Sequence, residues 1–103
     1  MRCLQGRGGF GRVKIRYDPE KRARTLAERG LDFADAPEVF AGPTIDFIDD
    51  RHDYGESRWI TFGRLRGRLI VVVWTPRGKT GHIISMRKAN GREQEKYGRQ
   101  LGY

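Results

Sequence analysis

Short stretches of alternating apolar and polar residues run through the chain, which is the pattern of half-buried strands. In V-K-I-R-Y, which starts at Val13, every apolar residue falls on the same side. The run from Leu69 to Trp74 lacks this alternation and predicts a central strand that is covered on both faces. Three further stretches complete the set of predicted strands: 44–49, 58–64 and 80–87.

Two helices are predicted between the strand that starts at Val13 and the strand at 44–49. Asp18 followed by Pro19 is typical of a helix start, because Asp caps free amides and Pro fits the first turn. Gly30 is a natural left-handed end for that helix. A second short helix follows, and Pro37 fits it best if the helix is kinked or begins late. Its predicted buried stripe consists of Phe33, Ala36, Val39 and Phe40.

A third helix is predicted from Gly91 to Leu101, because Asn90 and Glu93 have the spacing of a capping box. The expected fold class is therefore α+β. We expect an antiparallel β-sheet of about four to five strands, built as a meander, with two N-terminal helices and a C-terminal helix. The length of 103 residues indicates one domain. We expect it to cover residues 13–103, after a flexible basic leader at residues 1–12.

Charge is distributed unevenly along the chain, whose formal net charge is +8. Residues 1–17 hold five basic residues and no acidic ones, whereas residues 18–56 hold five basic and eleven acidic residues. Residues 57–103 hold eleven basic residues and two acidic ones. A strongly basic half attracts polyanions, of which nucleic acid is the commonest in a cell. The alternative is that the basic surface only keeps the protein in solution.

Several classes of site are not indicated by the sequence. The single cysteine, Cys3, excludes an internal disulfide and a cysteine-built metal site. His52 lies among Asp49, Asp50 and Asp53, but their spacing matches no metal-binding motif. No P-loop, nucleophile elbow or HExxH motif is present, and we expect neither a metal nor a cofactor. No apolar run reaches the roughly 18–20 residues of a membrane span, and we expect a cytoplasmic protein.

The basic half carries the groups that RNA cleavage without a metal requires. Such cleavage needs a base for the 2′-hydroxyl proton, an acid for the leaving 5′-oxygen and cations for the charge on the phosphorane. Arginine suits the last role because its planar fork binds two phosphate oxygens at once. Strict alternation along the last predicted strand puts His82 and Met86 on one face. It puts Ile83 and Arg87 on the other.

Each candidate also has a plainer interpretation. His82 fits an acid or base that titrates near neutral pH, and equally a strand histidine that is hydrogen-bonded by a neighbour. Arg87 fits either a role in phosphate binding or simple surface charge. Trp59 and Trp74 fit the core better than they fit base-stacking platforms.

Four segments, taken together and in this order, resemble a known family: YDPEKRARTLAERGLDFADAPEVFAGP, ESRWITFGR, GRLIVVVWTPRG and HIISMRKANGREQEKY. The family is BrnT, the toxins of type II toxin–antitoxin pairs. The resemblance implies a RelE-like fold and an endoribonuclease that acts on RNA and inhibits translation. It also implies a BrnA-type antitoxin, a DNA-binding protein, through which alone the complex would reach operator DNA.

The resemblance and the pattern of cations together give two sets of candidate site residues. The catalytic candidates are Glu56, Arg58, Arg77, His82, Arg87 and Tyr97. The RNA-binding candidates are Lys21, Arg64, Arg68, Lys79 and Lys88. His82 stands where the family usually carries an arginine. Two alternatives to an active nuclease stay open at this point: a nucleic-acid-binding module without catalysis, and a degenerate toxin that acts only in its antitoxin complex.

Overall fold

The structure is a computed structural model that describes residues 2–7, 14–51, 53 and 55–101, and for residues 2–7 it describes the backbone alone. The strands in these ranges are β1 (Arg2–Arg7), β2 (Lys14–Tyr17), β3 (Pro43–Asp49), β4 (Arg58–Leu65), β5 (Arg68–Arg77) and β6 (Thr80–Lys88). The helices are α1 (Pro19–Arg29), α2 (Ala36–Ala41) and α3 (Gly91–Tyr97), with 3₁₀ turns at Phe33–Asp35 and Arg99–Leu101. Within the described ranges, no helix is both long enough and apolar enough to span a membrane.

The α+β class is confirmed, but the prediction of a purely antiparallel sheet is wrong because the sheet is mixed. Its strand order is β1-β3-β4-β5-β6-β2. Strands β3 to β6 form the predicted antiparallel meander. Strand β2 runs parallel to β6, with Arg16 opposite His82. Meander patterns concern consecutive strands only, whereas the chain leaves β2 through α1 and α2 and returns to the sheet at β3, away from β2.

Strand β1 adds a sixth strand to the four or five that were expected. It pairs antiparallel with β3, from Arg2 opposite Ile48 to Arg7 opposite Pro43. Its sequence R-C-L-Q-G-R shows no clear alternation, and for that reason it was not predicted. Residues 1 and 8–12 of the expected leader lie outside the described residues, and the domain boundary at residue 13 stays a prediction.

The signals for the first two helices are confirmed. The Asp18 side chain accepts a hydrogen bond of 2.9 Å from the backbone amide of Glu20. Gly30 ends α1 in the left-handed region, with a φ of 69°. Pro37 lies in the first turn of α2, so the second helix begins late. All four residues of the predicted stripe are buried: Phe33, Ala36, Val39 and Phe40.

One face of the sheet packs against α2 and the first 3₁₀ turn, with α1 beside them, and we call it the covered face. Helix α2 lies so close to β4 that a Cβ atom on Gly63 would lie 2.6 Å from Cγ1 of Val39. Trp74 is confirmed as a core residue, and Trp59 stacks on it with ring centroids 6.2 Å apart. The buried residues of this face are Leu31, Phe33, Ala36, Val39, Phe40, Leu65, Ile70, Val72, Trp74, Ile83 and Met86.

A buried carboxyl group lies within the covered face. Asp46 is 4% exposed and accepts hydrogen bonds from the hydroxyls of Thr61 (2.7 Å) and Thr44 (3.1 Å). The Thr61 hydroxyl in turn accepts a bond of 2.9 Å from Nε1 of Trp74. Burial raises the pKa of Asp46, and the two hydroxyl donors oppose that rise. A polar chain of three side chains therefore links β3, β4 and β5 inside the core.

A β-bulge in β6 changes which residues share a face. Val73 of β5 lies opposite Ser85, but the next residue, Trp74, lies opposite Ile83. Ile84 is therefore the extra residue of the bulge, and strict alternation breaks there.

The bulge overturns the predicted faces of β6. Ile83 and Met86 both pack into the core of the covered face, so the prediction that His82 shares a face with Met86 is wrong. His82 precedes Ile83 in regular strand and so points to the opposite face, as Arg87 does. The bulge thus puts His82 and Arg87 on the same face of the sheet.

That opposite face, which we call the open face, packs against α3 and the 3₁₀ turn that follows it. Asn90 and Glu93 form the predicted capping box at the start of α3. The helix ends at Tyr97, earlier than predicted, and the 3₁₀ turn carries the chain on to Leu101. The buried residues of this face are Ile45, Phe62, Leu69, Val71, Ala89 and Leu101, with Phe47, Ile60 and Tyr97 partly buried against them.

Candidate functional site

Beyond α3, the open face carries polar and basic side chains from four neighbouring strands. His82 lies opposite Thr75 of β5 on one side and opposite Arg16 of β2 on the other. Arg58 begins β4, and alternation puts it on the open face with Ile60. Neighbouring strands lie about 4.8 Å apart, so the backbones at Arg58 and His82 are separated by about 10 Å.

Glu56 and Arg77 form an ion pair at this end of the sheet. Nε of Arg77 lies 3.4 Å from Oε2 of Glu56, and Nη2 lies 3.4 Å from Oε1. Two contacts between the planar guanidinium and one carboxylate fix the orientation of the arginine. Both side chains are accessible to solvent, so the pair serves orientation more than stability. We call Glu56, Arg77 and His82 together the His82 cluster.

The surroundings of His82 favour its neutral form. Burial lowers the pKa of His82, and the positive charges of Arg77 and Lys21 lower it further, whereas Glu56 and Asp18 act in the opposite direction. The lowered pKa leaves the imidazole uncharged at neutral pH, able to accept a proton. The imidazole of His82 makes no hydrogen bond to another described residue, unlike the alternative of a strand histidine whose side chain is held by a neighbour.

The predicted RNA-binding residues lie at two opposite ends of the sheet. Lys21, in α1, and Lys79, in the turn between β5 and β6, lie at the same end as the His82 cluster. The turn between β4 and β5 and the end of β6 form the other end, which carries Arg64, Arg68 and Lys88.

A cavity of about 360 Å³ opens between α3 and the open face, and we call it the α3 cavity. Its floor is apolar and aromatic, whereas its rim carries four cations and one carboxylate. Tyr97 forms part of the wall, with its ring centroid 4.4 Å from that of Phe62 and 5.4 Å from that of Phe47. The lining residues are Phe47, Arg51, Ile60, Phe62, Val71, Val73, Arg87, Arg92, Glu93, Lys96 and Tyr97.

Arg87 of this cavity is engaged by the carboxylate of Glu93. Its Nη1 donates to Oε1 at 2.7 Å and its Nη2 donates to Oε2 at 2.8 Å. The hydrogen bond raises the pKa of Arg87 and lowers that of Glu93. Because Glu93 also caps α3, the pair fastens that helix to β6. Surface charge alone, the plainer interpretation of Arg87, therefore does not describe it.

The structure brings together some of the six catalytic candidates and not others. Glu56, Arg77 and His82 form one cluster, and Arg58 lies on the same face. Arg87 and Tyr97 line the α3 cavity instead. His82 and Arg87 are five positions apart in β6, which corresponds to about 15 Å along a strand. The six candidates therefore do not all lie in one concavity.

Several residues at these sites were not singled out from the sequence. Arg16 lies beside His82 only because β2 pairs in parallel with β6, and hairpin patterns carry no signal for that pairing. Phe47 matches an ordinary core position of a strand. Arg92 and Lys96 are four residues apart, the spacing of neighbours on one helix face, and that signal was available in the sequence.

His52, around which the sequence places three aspartates, lies outside the described residues. Within the part of the chain that the structure describes, no three His, Cys, Asp or Glu side chains are grouped so that they could hold a metal ion. Asp49, the last residue of β3, is paired with Arg51, whose Nε lies 2.8 Å from its Oδ1.

Comparisons with known proteins add the family. Curated proteins gave no match to this chain. A family model described as the ribonuclease toxin BrnT of type II toxin–antitoxin systems matches residues 17–93. The match begins in β2 and ends in α3, so it includes the His82 cluster and most of the α3 cavity. With most of its length matched in this way, the chain belongs to the BrnT family of ribonuclease toxins.

Proposed function

We propose that this toxin is a metal-independent endoribonuclease whose chemistry takes place at the His82 cluster. The family supports ribonuclease activity in general. One observation carries the rest: a histidine kept neutral by its surroundings lies beside an arginine that a glutamate orients. The cations Arg16 and Arg58 flank this arrangement on neighbouring strands of the same face.

In the proposed reaction, neutral His82 accepts the proton of a ribose 2′-hydroxyl. The 2′-oxygen forms a bond to phosphorus, and the bond between phosphorus and the 5′-oxygen breaks. The leaving oxygen takes a proton that water supplies at this solvent-accessible end of the sheet. The products are a 2′,3′-cyclic phosphate and a 5′-hydroxyl. General base assistance of this kind contributes about 10²–10⁴-fold to a rate.

Arg77 and Arg58 stabilise the negative charge that builds up on the phosphorane. A donor placed at such an oxyanion contributes about 10²–10³-fold. Glu56 keeps the guanidinium of Arg77 in place before substrate binds, which reduces the reorganisation that the reaction would otherwise need. In this proposal the chain supplies the base and the fixed cations, and water supplies the proton for the leaving oxygen.

The remaining cations guide the RNA backbone. Lys21 and Lys79 lie beside the cluster and contact the phosphates nearest the cleaved bond. At the far end of the sheet, Arg64, Arg68 and Lys88 extend the track for a longer strand. Arg87 and Tyr97 stay candidates for direct participation, although their geometry favours substrate positioning at the α3 cavity.

The family also supports a proposal for the cellular role. Type II toxins are paired with a protein antitoxin, and we propose that the partner is of the BrnA type and covers the cations around His82. Cleavage would inhibit translation in the cytoplasm, and DNA would be reached only through the antitoxin. Stoichiometric antitoxin should then block cleavage, and Arg77→Glu should weaken the complex.

The nuclease proposal is tested with purified protein and RNA in the presence of EDTA. We expect cleaved products that end in a 2′,3′-cyclic phosphate, and no cleavage of the same strand made with deoxyribose. Intact RNA in the presence of folded protein would contradict the proposal. Binding that weakens steeply with salt, without products, would instead favour the non-catalytic module.

A further inference from the structure

The α3 cavity has a floor that the fold leaves partly uncovered. Phe62 and Val71 are buried at its base, but Phe47, Ile60, Val73 and Tyr97 keep part of their surface exposed. Apolar surface left accessible in one concave place marks a binding site more often than chance exposure does. The volume of about 360 Å³ lies within the range of sites for small organic groups.

The charges at the rim identify what kind of group binds there. Arg87 is neutralised by Glu93, and Arg51 is paired with Asp49. Arg92 and Lys96 form no ion pair with a described residue. They are four residues apart and so lie on one face of α3, one turn from each other.

Lys96 links this rim to the aromatic wall. Its Nζ lies 5.5 Å from the centroid of the Tyr97 ring, so the ammonium group and the aromatic ring meet at the cavity mouth. Such a site suits a ligand with a flat apolar body and an attached anion. A nucleotide has both, because its base stacks on aromatic rings and its phosphate pairs with cations.

We propose that the α3 cavity binds one unpaired nucleobase of the RNA strand, with Arg92 and Lys96 holding the adjoining phosphate. This rests on the proposed function, because it assigns the cavity to the same substrate. The cavity lies on the open face with the His82 cluster, so one strand can occupy both sites. The stacked base fixes the register of the strand relative to His82.

The test measures binding rather than cleavage. The probe is a short labelled RNA in which every ribose is 2′-O-methylated, so that it cannot be cleaved. A stable abasic residue is placed at each position in turn, and the dissociation constant is measured by fluorescence anisotropy. Loss of one stacked base should weaken binding by about 5- to 150-fold at one position of the probe.

Two variants locate that base in the cavity. Phe47→Leu should weaken binding of the intact probe and should make the abasic substitution at that position nearly neutral. Arg92→Ala combined with Lys96→Ala, which changes exposed residues only, should reduce the slope of log K against log salt by about 0.7, the contribution of one phosphate of a single strand. Arg99→Ala, exposed outside the cavity, is the matched control for loss of charge.

Three outcomes would overturn the proposal. The first is an abasic scan in which no position matters. The second is an abasic effect that persists unchanged in Phe47→Leu. The third is weaker antitoxin binding by Phe47→Leu with unchanged probe binding, which would make the cavity a protein site. If the protein cleaves RNA but shows one of these results, the proposed function stands and the proposal for the α3 cavity fails. If binding depends on one base but no cleavage occurs, the proposal for the α3 cavity stands and the nuclease proposal fails.

Discussion

The two faces of the sheet differ in how accessible their charged and polar groups are to solvent. On the covered face, Trp74 and Met86 are at most 2% exposed, and the buried carboxyl of Asp46 is satisfied by two hydroxyls. On the open face, His82 and Arg87 stand among half-buried apolar residues, and their charged neighbours reach solvent. The first face holds the fold together, and the second leaves polar groups accessible to a substrate.

With the proposed function, this contrast separates stability from activity within one small sheet. Because the covered face is closed by α2, changes there should alter unfolding first and activity only as a consequence. Because the His82 cluster lies at one end of the sheet and is partly exposed, changes there should alter activity and leave unfolding nearly unchanged. The following predictions test that separation.

The largest effect is expected for Trp74→Ala on the covered face. It removes the packing against Phe40, whose ring centroid is 5.5 Å away, and the hydrogen bond to Thr61. The free energy of unfolding should fall by about 3–5 kcal/mol, measured by chemical denaturation. Leu26→Ala, at a site that is 45% exposed, is the matched control and should cost little. A Trp74→Ala protein as stable as the wild type would contradict the role given to the covered face.

His82→Ala on the open face should lower the rate of cleavage without lowering the stability of the fold. The rate of RNA cleavage should fall by about 10²–10⁴-fold with loss of the base, while the midpoint of denaturation stays near that of the wild type. Arg24→Ala, an exposed change in α1, serves as the control for cleavage. Unchanged cleavage by His82→Ala would show that the base lies elsewhere.

Glu93→Gln tests the fastening of α3 to β6. It weakens the paired hydrogen bonds to Arg87 and should lower the free energy of unfolding by about 1–3 kcal/mol. The folded pKa of Glu93 is lowered, so its contribution is present above the ordinary carboxyl pKa and is lost as the pH falls through the folded pKa. The two proteins should therefore converge in stability in acid. A difference that widens in acid would contradict this assignment.

The smallest effect is expected for Lys21→Gln, read from the pH dependence of cleavage. If neutral His82 is the base, as proposed, the rate should fall as the pH drops through its lowered pKa. The positive charge of Lys21 contributes to that lowering, and its removal should move the acidic limb of the profile to higher pH. The other charged groups that act on His82, which are Arg77, Glu56 and Asp18, are unchanged in this variant. A shift of the acidic limb to lower pH would contradict this prediction.

Local features of the fold were predictable from the sequence, and pairings between distant segments were not. Asp18 and Gly30 mark α1 by their own backbone chemistry, and the apolar run of β5 indicates burial on both faces. The parallel pairing of β2 with β6 joins segments more than sixty residues apart in sequence, and no local pattern reports it. The bulge at Ile84 is likewise set by packing across two strands.

The same limit explains what was missed at the candidate site. Residue type and position named Arg77 and His82 as candidates, but the partner of each side chain depends on three-dimensional contacts. The bidentate pair of Arg87 with Glu93 shows this, because six positions of sequence separation do not reveal that the strand turns back onto the helix start. The sequence thus indicated a polar and basic face, and the structure divides its candidate residues between the His82 cluster and the α3 cavity.

Single-turnover cleavage of one RNA, at several enzyme concentrations, tests this division most directly. We predict that Arg77→Ala lowers the rate constant at saturating enzyme by about 10²–10³-fold, with a nearly unchanged half-saturating concentration. Phe47→Leu should instead raise the half-saturating concentration and leave the saturated rate close to that of the wild type. If Arg77→Ala changed only the half-saturating concentration, the His82 cluster would be a binding surface, and the account given for the open face would be contradicted.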